Sequence, residues 1–330
     1  ISHNWWRDLR PMAKGLAPQG PLIGEVWADA STYLLGDQLD SVMNYRFRKS
    51  VLGFARGAGI GWRDNDNHGA NEIQGLTPSQ LDHALRAIRE DYPTPATNAM
   101  LNLIGSHDTN RALYLLTEIG DAGLTQAKAR LRLAALLQFA NPGAPMVYYG
   151  DEAGINAPSL ANGTNGPEDD PYNRAPYPWA DASGSPSIYG PADPALIGYY
   201  SRLGQVRRDH PALRTGGFQT LLTGDTTASP NDDGVYAYAR TGPQAGGAAA
   251  NRSAGSSAGA ATGPSTGARE TCIVLANNAQ TSGEAVVPVP QGVPDGTTFH
   301  DALTGTAYGV SAGTVTVSLP AFGGAILVSS

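Results

Sequence analysis

Hydrophobic positions in the first 211 residues follow two periods that alternate along the chain. Short apolar runs, typical of buried parallel strands, occur at 22–27, 40–47, 101–104 and 144–152. Segments with apolar residues at helical spacing lie before, between and after these runs, at 3–16, 48–56, 79–92, 125–139 and 195–209. This alternation predicts an α/β fold with a parallel sheet, and four such strands make half of a (β/α)8 TIM barrel.

From residue 212 the pattern changes to short runs in which apolar and polar residues alternate. They occur at 218–224, 234–240, 271–278, 283–289, 314–320 and 323–330, and they predict a C-terminal antiparallel β-sandwich. We therefore expect two domains, 1–211 and 212–330. Residues 242–268 are rich in Gly, Ala and Ser and hold too few apolar groups to offset the entropy of ordering, which predicts a disordered loop.

Composition narrows the partners that the chain can have. The 330 residues carry a net charge of −7, so we expect no basic surface for the phosphates of a nucleic acid. No apolar run reaches the length of a transmembrane helix, which argues against a membrane partner. The single Cys272 excludes an internal disulfide. Localisation stays open, because the N-terminal residues are not informative about it.

Two of the predicted strands deliver acids at their C-terminal ends. Glu25 lies near the end of the run 22–27, and His107 and Asp108 follow the run 101–104 directly. The loops after parallel barrel strands converge on one face, where barrel enzymes build their active sites. Two acids delivered in this way indicate an enzyme. Taken alone, Glu25 is better explained as a solvated loop residue, and His107 with Asp108 is equally well explained as a structural pair.

Four motifs occur in a fixed order along the barrel part of the chain. They are GEVW at 24–27, DQLDSVMNYRFR at 37–48, NLIGSHDTNR at 102–111 and GAPMVYYGDEAG at 143–154. Together they resemble the second half of the α-amylase family of glycoside hydrolases, in particular its cyclomaltodextrinase/neopullulanase branch. The resemblance implies barrel strands five to eight, followed by the small C-terminal β domain.

The resemblance also implies roles for individual residues. The family hydrolyses α-glucosidic bonds with retention, using a nucleophile carboxylate and a carboxylic acid. Glu25 would be the acid/base, and Asp108 the carboxylate that stabilises the transition state. His107 would bind hydroxyls of the sugar being cleaved. The expected catalytic residues are therefore Glu25 and Asp108, with His107 binding substrate.

Further substrate contacts are implied outside the carboxylates. Asp170 and Arg174 match a family pattern of Asp, three residues and Arg that binds the non-reducing side of the substrate, although Arg174 is equally well explained as a loop-packing group. Trp27 and Tyr45 are candidate stacking surfaces, because sugars present apolar CH faces to aromatic rings. The expected ligand is an α-glucan oligosaccharide: a malto-oligosaccharide, a cyclodextrin or pullulan.

The family's nucleophile has no counterpart in this sequence. It is an Asp at the end of barrel strand four, and the only Asp before Glu25 is Asp8, within the predicted opening helix. We therefore expect a missing N-terminal half or a second chain to supply it, and the exposed strand edges of a half barrel also allow a homo-oligomer. The alternatives are an inactive or glucan-binding fragment and a transglycosidase of the same family.

No metal ligand set is expected in the chain itself. The oxygen-rich run at 64–67 lacks the Gly and the distal Glu of a Ca²⁺ loop at the right positions, which favours a solvated loop. No cofactor is required by the motifs. If the enzyme holds Ca²⁺, the resemblance implies that the missing N-terminal half carries the site.

Overall fold

The chain is described by a computed structural model over residues 1–57, 73–117, 124–156, 173–179, 190–225, 234–243 and 269–329. Helices and parallel strands alternate through the first part, as the sequence predicts. The helices are α1 His3–Leu16, α2 Tyr45–Arg56, α3 Pro78–Asp91, α4 Thr94–Ala99, α5 Ala112–Leu115, α6 Thr125–Ala140, α7 Pro194–Asp209 and α8 Pro211–Thr215. No helix of these described parts is long and apolar enough to cross a membrane.

Four short parallel strands form the barrel part. Strand β1 (Ile23–Gly24) pairs with β2 (Ser41–Val42), and β3 (Leu101–Leu103) pairs with β4 (Ala144–Met146). An isolated parallel bridge between Met43 and Leu101 joins the two pairs. The order is therefore β1-β2-β3-β4, which confirms the predicted half of a (β/α)8 barrel.

The predicted strand at 40–47 is wrong over its second half. Strand β2 ends at Val42, and α2 begins at Tyr45. The cause is Asn44, whose side chain accepts a hydrogen bond from the backbone N of Phe47 at 3.1 Å and caps the helix. Its amide also donates to Asn102 Oδ1 at 3.0 Å, which fixes the start of α2 against β3. Tyr45 is thus the first residue of a helix rather than part of a strand.

Helix α1 is fastened to the first two strands through one carboxylate. Asp40 accepts hydrogen bonds from Arg10 and Lys14 of α1 and from the backbone N of Leu22, each at 2.7 Å. Although burial works in the opposite direction, these donors lower the pKa of Asp40 to about 2. The polar face of α1 therefore contacts the strands, and none of its residues is fully buried.

The C-terminal strands form an eight-stranded antiparallel sheet in the order β5-β6-β7-β12-β9-β10-β11-β8. This sheet encloses a core of its own, which includes Val235, Ile273, Phe299 and Val315, and it fits the predicted β-sandwich domain. The strands are β5 Gly217–Thr223, β6 Val235–Pro243, β7 Arg269–Asn277, β8 Gly283–Pro288, β9 Thr298–Asp301, β10 Ala307–Ser311, β11 Thr314–Leu319 and β12 Gly324–Ser329. The sequence patterns missed β9 and β10.

The expected domain limit at 211/212 falls inside α8, and β5 begins at Gly217. Of the run 242–268, Gly242 and Pro243 end β6, and residues 244–268 lie outside the described residues. A continuous core joins the barrel helices to the other face of the sheet, with Phe54 and Leu136 packed in the same cluster as Tyr236.

A buried carboxylate on α3 binds the sheet across this junction. Asp82 is 3% exposed and accepts hydrogen bonds from Tyr236 Oη at 3.0 Å, from Arg86 at 2.7 Å and from the hydroxyl of Thr220. Burial opposes ionisation, but the three donors outweigh it and hold the pKa of Asp82 below its ordinary value. Asp82 is therefore a fully hydrogen-bonded anion between the barrel and the sheet.

Candidate functional site

Glu25 lies immediately after β1, with its side chain exposed at the C-terminal end of the parallel strands. Its Oε1 atom accepts two hydrogen bonds, from Trp27 Nε1 at 3.2 Å and from Tyr45 Oη at 3.0 Å. Gly24 packs closely against Leu39, whose side chain would have to shift to admit a Cβ at this position. The close packing of β1 against Leu39 therefore sets where Glu25 emerges.

The rings of Trp27 and Tyr45 stack on each other, with centroids 4.1 Å apart and planes 9° from parallel. Tyr45 is 3% exposed, and Trp27 covers one of its faces. The pKa of the Tyr45 hydroxyl is raised mainly by burial, with the charges of Glu25 and Asp108 adding to the effect. Tyr45 is therefore a neutral hydrogen-bond donor, and its burial favours holding Glu25 over the sugar stacking expected from the sequence.

His107 and Asp108 follow β3, and the imidazole Nε2 of His107 lies 3.0 Å from Asp108 Oδ2. The loop is shaped by Ser106, whose backbone N donates to Thr109 Oγ1 at 3.1 Å and whose Oγ accepts from the backbone N of Asp108 at 3.2 Å. Ser106 Oγ also lies 3.3 Å from Tyr45 Oη. Tyr45 and Ser106 thus connect the Glu25 loop with the Asp108 loop.

Arg174 lies beside the other oxygen of the Asp108 carboxylate. Its NH2 group donates to Asp108 Oδ1 at 3.1 Å, and its Nε donates to the backbone carbonyl of His107 at 3.3 Å. Asn173 donates to the same carbonyl at 2.6 Å. Asp170 lies outside the described residues. The segment that begins at Asn173 is therefore in direct contact with the His107–Asp108 loop.

Side chains after β4 hold the segment that carries Arg174. Tyr148 Oη donates to the carbonyl of Asn173 at 3.1 Å, and Tyr149 Oη donates to the carbonyl of Ala175 at 3.0 Å. The guanidinium of Arg111 lies over both rings, 4.5 and 4.7 Å from their centroids, and donates to the Ala175 carbonyl at 3.1 Å. Arg111 was not predicted from the sequence as a site residue, although it is the last residue of the NLIGSHDTNR motif.

A second carboxylate, Asp151, lies behind the His107–Asp108 loop. It is 2% exposed, neither of its oxygens has a hydrogen-bond partner among the described residues, and it lies against Gly105, where a Cβ would collide with it. Burial raises the pKa of Asp151 to about 7, and the charges of Arg111 and Arg48 offset only part of this effect. Asp151 thus carries a proton at mildly acidic pH.

A cavity of about 470 Å³ lies beside Trp27 and Tyr45. Ligand-binding clefts in proteins have volumes of roughly 300–1,000 Å³. The lining of this cavity includes Trp27, Tyr45, Arg46, Lys49, Leu76 and Ile88. Glu25 does not line the cavity, but both residues that donate hydrogen bonds to Glu25 do.

The described residues bring one set of metal-capable side chains together, His210, Glu270 and Cys272, with ligand atoms within 4.8 Å of one another. Glu270 already binds His210 Nδ1 at 2.6 Å and the backbone N of Ala212 at 3.1 Å. Arg240 lies close enough to Cys272 for their charges to interact, which opposes a further cation. Glu270 therefore caps the start of α8 and is hydrogen-bonded to His210.

Comparison with known proteins places this geometry in a family. Residues 1–189 match the model of the alpha amylase catalytic domain. Over all of this chain the sequence is 31% identical to an amylopullulanase of Thermoanaerobacterium saccharolyticum, and over 67% of it 34% identical to a cyclomaltodextrinase of Thermoanaerobacter pseudethanolicus. The chain spans 23% and 31% of the length of these two relatives.

Solved structures agree with the sequence relatives. The crystal structure of Ttha1563 from Thermus thermophilus superposes with a TM-score of 0.75 at 27% identity, covering 100% of this chain and 56% of that one. A cyclomaltodextrinase structure superposes with a TM-score of 0.67 at 26% identity, covering 100% of this chain and 44% of that one. The chain belongs to the alpha-amylase family of glycoside hydrolases.

Proposed function

We propose that this chain is the acid/base part of a retaining α-glucan hydrolase that cleaves malto-oligosaccharides, cyclodextrins or pullulan. The observation that carries the proposal is the pair of carboxylate loops joined through Tyr45 and Ser106, with Glu25 on one loop and Asp108 on the other. The relatives named cyclomaltodextrinase and amylopullulanase support this class of substrate.

In the proposed mechanism Glu25 donates a proton to the glycosidic oxygen while a nucleophile carboxylate attacks the anomeric carbon from the opposite face. The C–O bond breaks, and the leaving sugar departs as an alcohol. Glu25 then takes a proton from water, which attacks the glycosyl–enzyme ester and releases the nucleophile. Two inversions at the anomeric carbon give net retention.

Asp108 and His107 act on the sugar whose bond is cleaved. A carboxylate beside the anomeric carbon stabilises the positive charge that develops in the oxocarbenium-like transition state. Arg174 holds Asp108 Oδ1 at 3.1 Å and thereby fixes the orientation of that carboxylate. Asp170 and Arg174 bind the non-reducing side of the substrate, and Trp27 provides a ring for the sugar beyond the acid.

The nucleophile comes from a further polypeptide segment that completes the barrel, either earlier in the same protein or on a second chain. Helix α1 supports this, because Trp5, Met12 and Leu16 lie on one side of the helix and are 48%, 69% and 90% exposed. Contiguous apolar surface of this kind marks an interaction site. A Ca²⁺ ion, if the enzyme requires one, belongs to that segment, and a homo-oligomer is the competing way to cover α1.

Glu25→Gln tests the proposal in the full-length protein. We expect turnover of maltohexaose to fall by about 10³-fold or more, because the amide cannot donate the proton, while calorimetry shows that the sugar still binds. Glu284→Gln is the matched control, because Glu284 is exposed on β8 of the C-terminal sheet. Wild-type turnover in Glu25→Gln would remove Glu25 from the mechanism.

The products of the wild-type reaction distinguish the candidate functions: hydrolase, transglycosidase and glucan-binding protein. Shorter malto-oligosaccharides alone indicate hydrolysis, and oligosaccharides longer than the substrate indicate a transglycosidase. Binding without any turnover in the full-length protein would contradict the enzyme proposal and leave a glucan-binding protein.

A further inference from the structure

The two oxygens of the Glu25 carboxylate are in different environments. Oε1 accepts from Trp27 Nε1 at 3.2 Å and from Tyr45 Oη at 3.0 Å, and no hydrogen bond to Oε2 is found among the described residues. An indole N–H can only donate. Oε1 therefore has to act as an acceptor whether Glu25 is protonated or ionised.

In a neutral carboxyl group the carbonyl oxygen is the better acceptor, so the oxygen that accepts from both donors is favoured as the carbonyl oxygen. The proton of a neutral Glu25 then resides on Oε2, to which no described residue donates a hydrogen bond. This assignment follows from the donor-only chemistry of the indole and does not depend on where the hydroxyl proton of Tyr45 lies. Oε2 is left as the atom that exchanges a proton with a ligand.

Tyr45 is buried, whereas Glu25, the glutamate that it contacts, is exposed. It is the first residue of α2, its ring is buried under Trp27, and its hydroxyl lies 3.3 Å from Ser106 Oγ. A phenol has one proton, and a carboxylate is a stronger acceptor than a serine hydroxyl, so Tyr45 donates to Glu25. Ser106 in turn accepts from the backbone N of Asp108, which ties the contact to the Asp108 loop.

We propose that Tyr45 is a positioning residue that, together with Trp27, fixes Oε1 of Glu25 and so leaves the catalytic proton on Oε2. The inference rests on the proposed function. It adds which oxygen of Glu25 carries the proton and which residue holds the other oxygen in place. In the first step Oε2 gives its proton to the glycosidic oxygen as the C–O bond breaks. In the second step the same Oε2 takes a proton from the attacking water, which returns Glu25 to its neutral acid form.

The test uses Tyr45→Phe in the full-length protein, because phenylalanine keeps the ring that packs against Trp27. A misplaced acid costs rate only when the leaving group needs a proton. We expect kcat for maltohexaose to fall about 10–100-fold with KM within about 3-fold of wild type, a loss of the size that misplacement by about 1 Å causes. With maltosyl fluoride, whose leaving group needs little protonation, kcat/KM should change less than about 3-fold.

The pH profile gives a readout that a structural defect would not move. A hydrogen bond donated to Oε1 stabilises the ionised carboxylate more than the neutral acid. The alkaline limb of kcat/KM for maltohexaose should therefore move to higher pH in Tyr45→Phe. Tyr238→Phe is the matched control, since Tyr238 is fully buried and its hydroxyl accepts a hydrogen bond from Asn141 Nδ2 at 3.1 Å, within the junction with the sheet.

The kinetics of Tyr45→Phe and Glu25→Gln distinguish the roles that these two residues can have. A raised KM with unchanged kcat would overturn the inference and make Tyr45 a sugar-stacking residue. Equal losses with maltohexaose and maltosyl fluoride would also overturn it, because the defect would then not concern the proton. If Glu25→Gln abolishes turnover while Tyr45→Phe behaves as wild type, the inference fails and the proposed function stands; if Glu25→Gln is active, the proposed function itself fails.

Discussion

Two carboxylates are buried to a similar extent in this molecule, and their surroundings differ completely. Asp82, at the junction of α3 with the C-terminal sheet, is 3% exposed and accepts from three side-chain donors. Asp151, behind the His107–Asp108 loop, is 2% exposed and accepts from none of the described residues. Their pKa values move in opposite directions, downward for Asp82 and upward to about 7 for Asp151.

The two carboxylates differ in how far the described residues satisfy them. At the junction Asp82 accepts hydrogen bonds from three side chains, as buried polar groups in protein interiors generally do. In the barrel part the described residues donate none to Asp151, and burial disfavours its ionised form. The hydrogen bonds to Asp82 thus stabilise the junction. Close to the candidate site, the barrel part instead holds Asp151, a buried carboxyl group with a raised pKa.

The largest effect is expected when the Asp82 carboxylate is removed. Asp82→Ala should lower the free energy of unfolding by about 2–4 kcal/mol at neutral pH, because the hydroxyls of Thr220 and Tyr236 lose their acceptor in a buried place. Urea unfolding measures the loss. Since the folded-state pKa of Asp82 is depressed, its contribution is present above about pH 4 and fades as pH falls below that value.

Arg86→Ala is the control for this measurement. The guanidinium of Arg86 donates to the same carboxylate, but its side chain is 56% exposed. An exposed ion pair contributes little to stability in water, so the loss should be several times smaller than in Asp82→Ala. Equal losses in the two variants would mean that the ion pair, and not the buried hydroxyl contacts, holds the junction.

A smaller effect of opposite sign is expected at Asp151. Its pKa is raised on folding, so the folded state binds a proton more tightly than the unfolded chain between about pH 4 and 7. Stability from this group is present at low pH and is lost as pH rises through about 7. Asp151→Asn should therefore be more stable than wild type at pH 8, with the difference shrinking toward pH 4.

Thermal unfolding of Asp151→Asn and wild type across this pH range measures the trend. A constant difference between the two proteins from pH 4 to pH 8 would show that Asp151 does not change its proton affinity on folding. Greater stability of wild type at pH 8 would mean that the charges of Arg48 and Arg111 outweigh burial at this carboxylate.

Much of the fold was readable from periodicity, and the departures have local causes. The helical spacing at 3–16 and 125–139 predicts α1 and α6 within a residue at each end. The strand predicted at 40–47 failed because the capping side chain of Asn44 outweighs the β-forming residues after it. Strands β9 and β10 have four and five residues, and Gly and Thr around them obscure the alternation.

The candidate site was readable as residue types and not as contacts. Glu25, His107 and Asp108 stand out because they follow predicted strands and lie within motifs that occur in a fixed order. The stacking of Trp27 on Tyr45 depends on where α2 begins, and the contact of Ser106 with Tyr45 joins residues 61 apart in sequence. Burial of Asp151 without partners among the described residues depends on the packing of β3 against β4, which no local pattern encodes.

The stereochemistry of the first product tests the central claim most directly. Proton NMR of maltohexaose cleaved by the full-length protein resolves the anomer that forms before mutarotation. A retaining mechanism, in which Glu25 serves as acid and then as base, predicts that the α-anomer appears first. Initial formation of the β-anomer would contradict the account, because Glu25 would then face a single displacement by water and no glycosyl–enzyme ester would form.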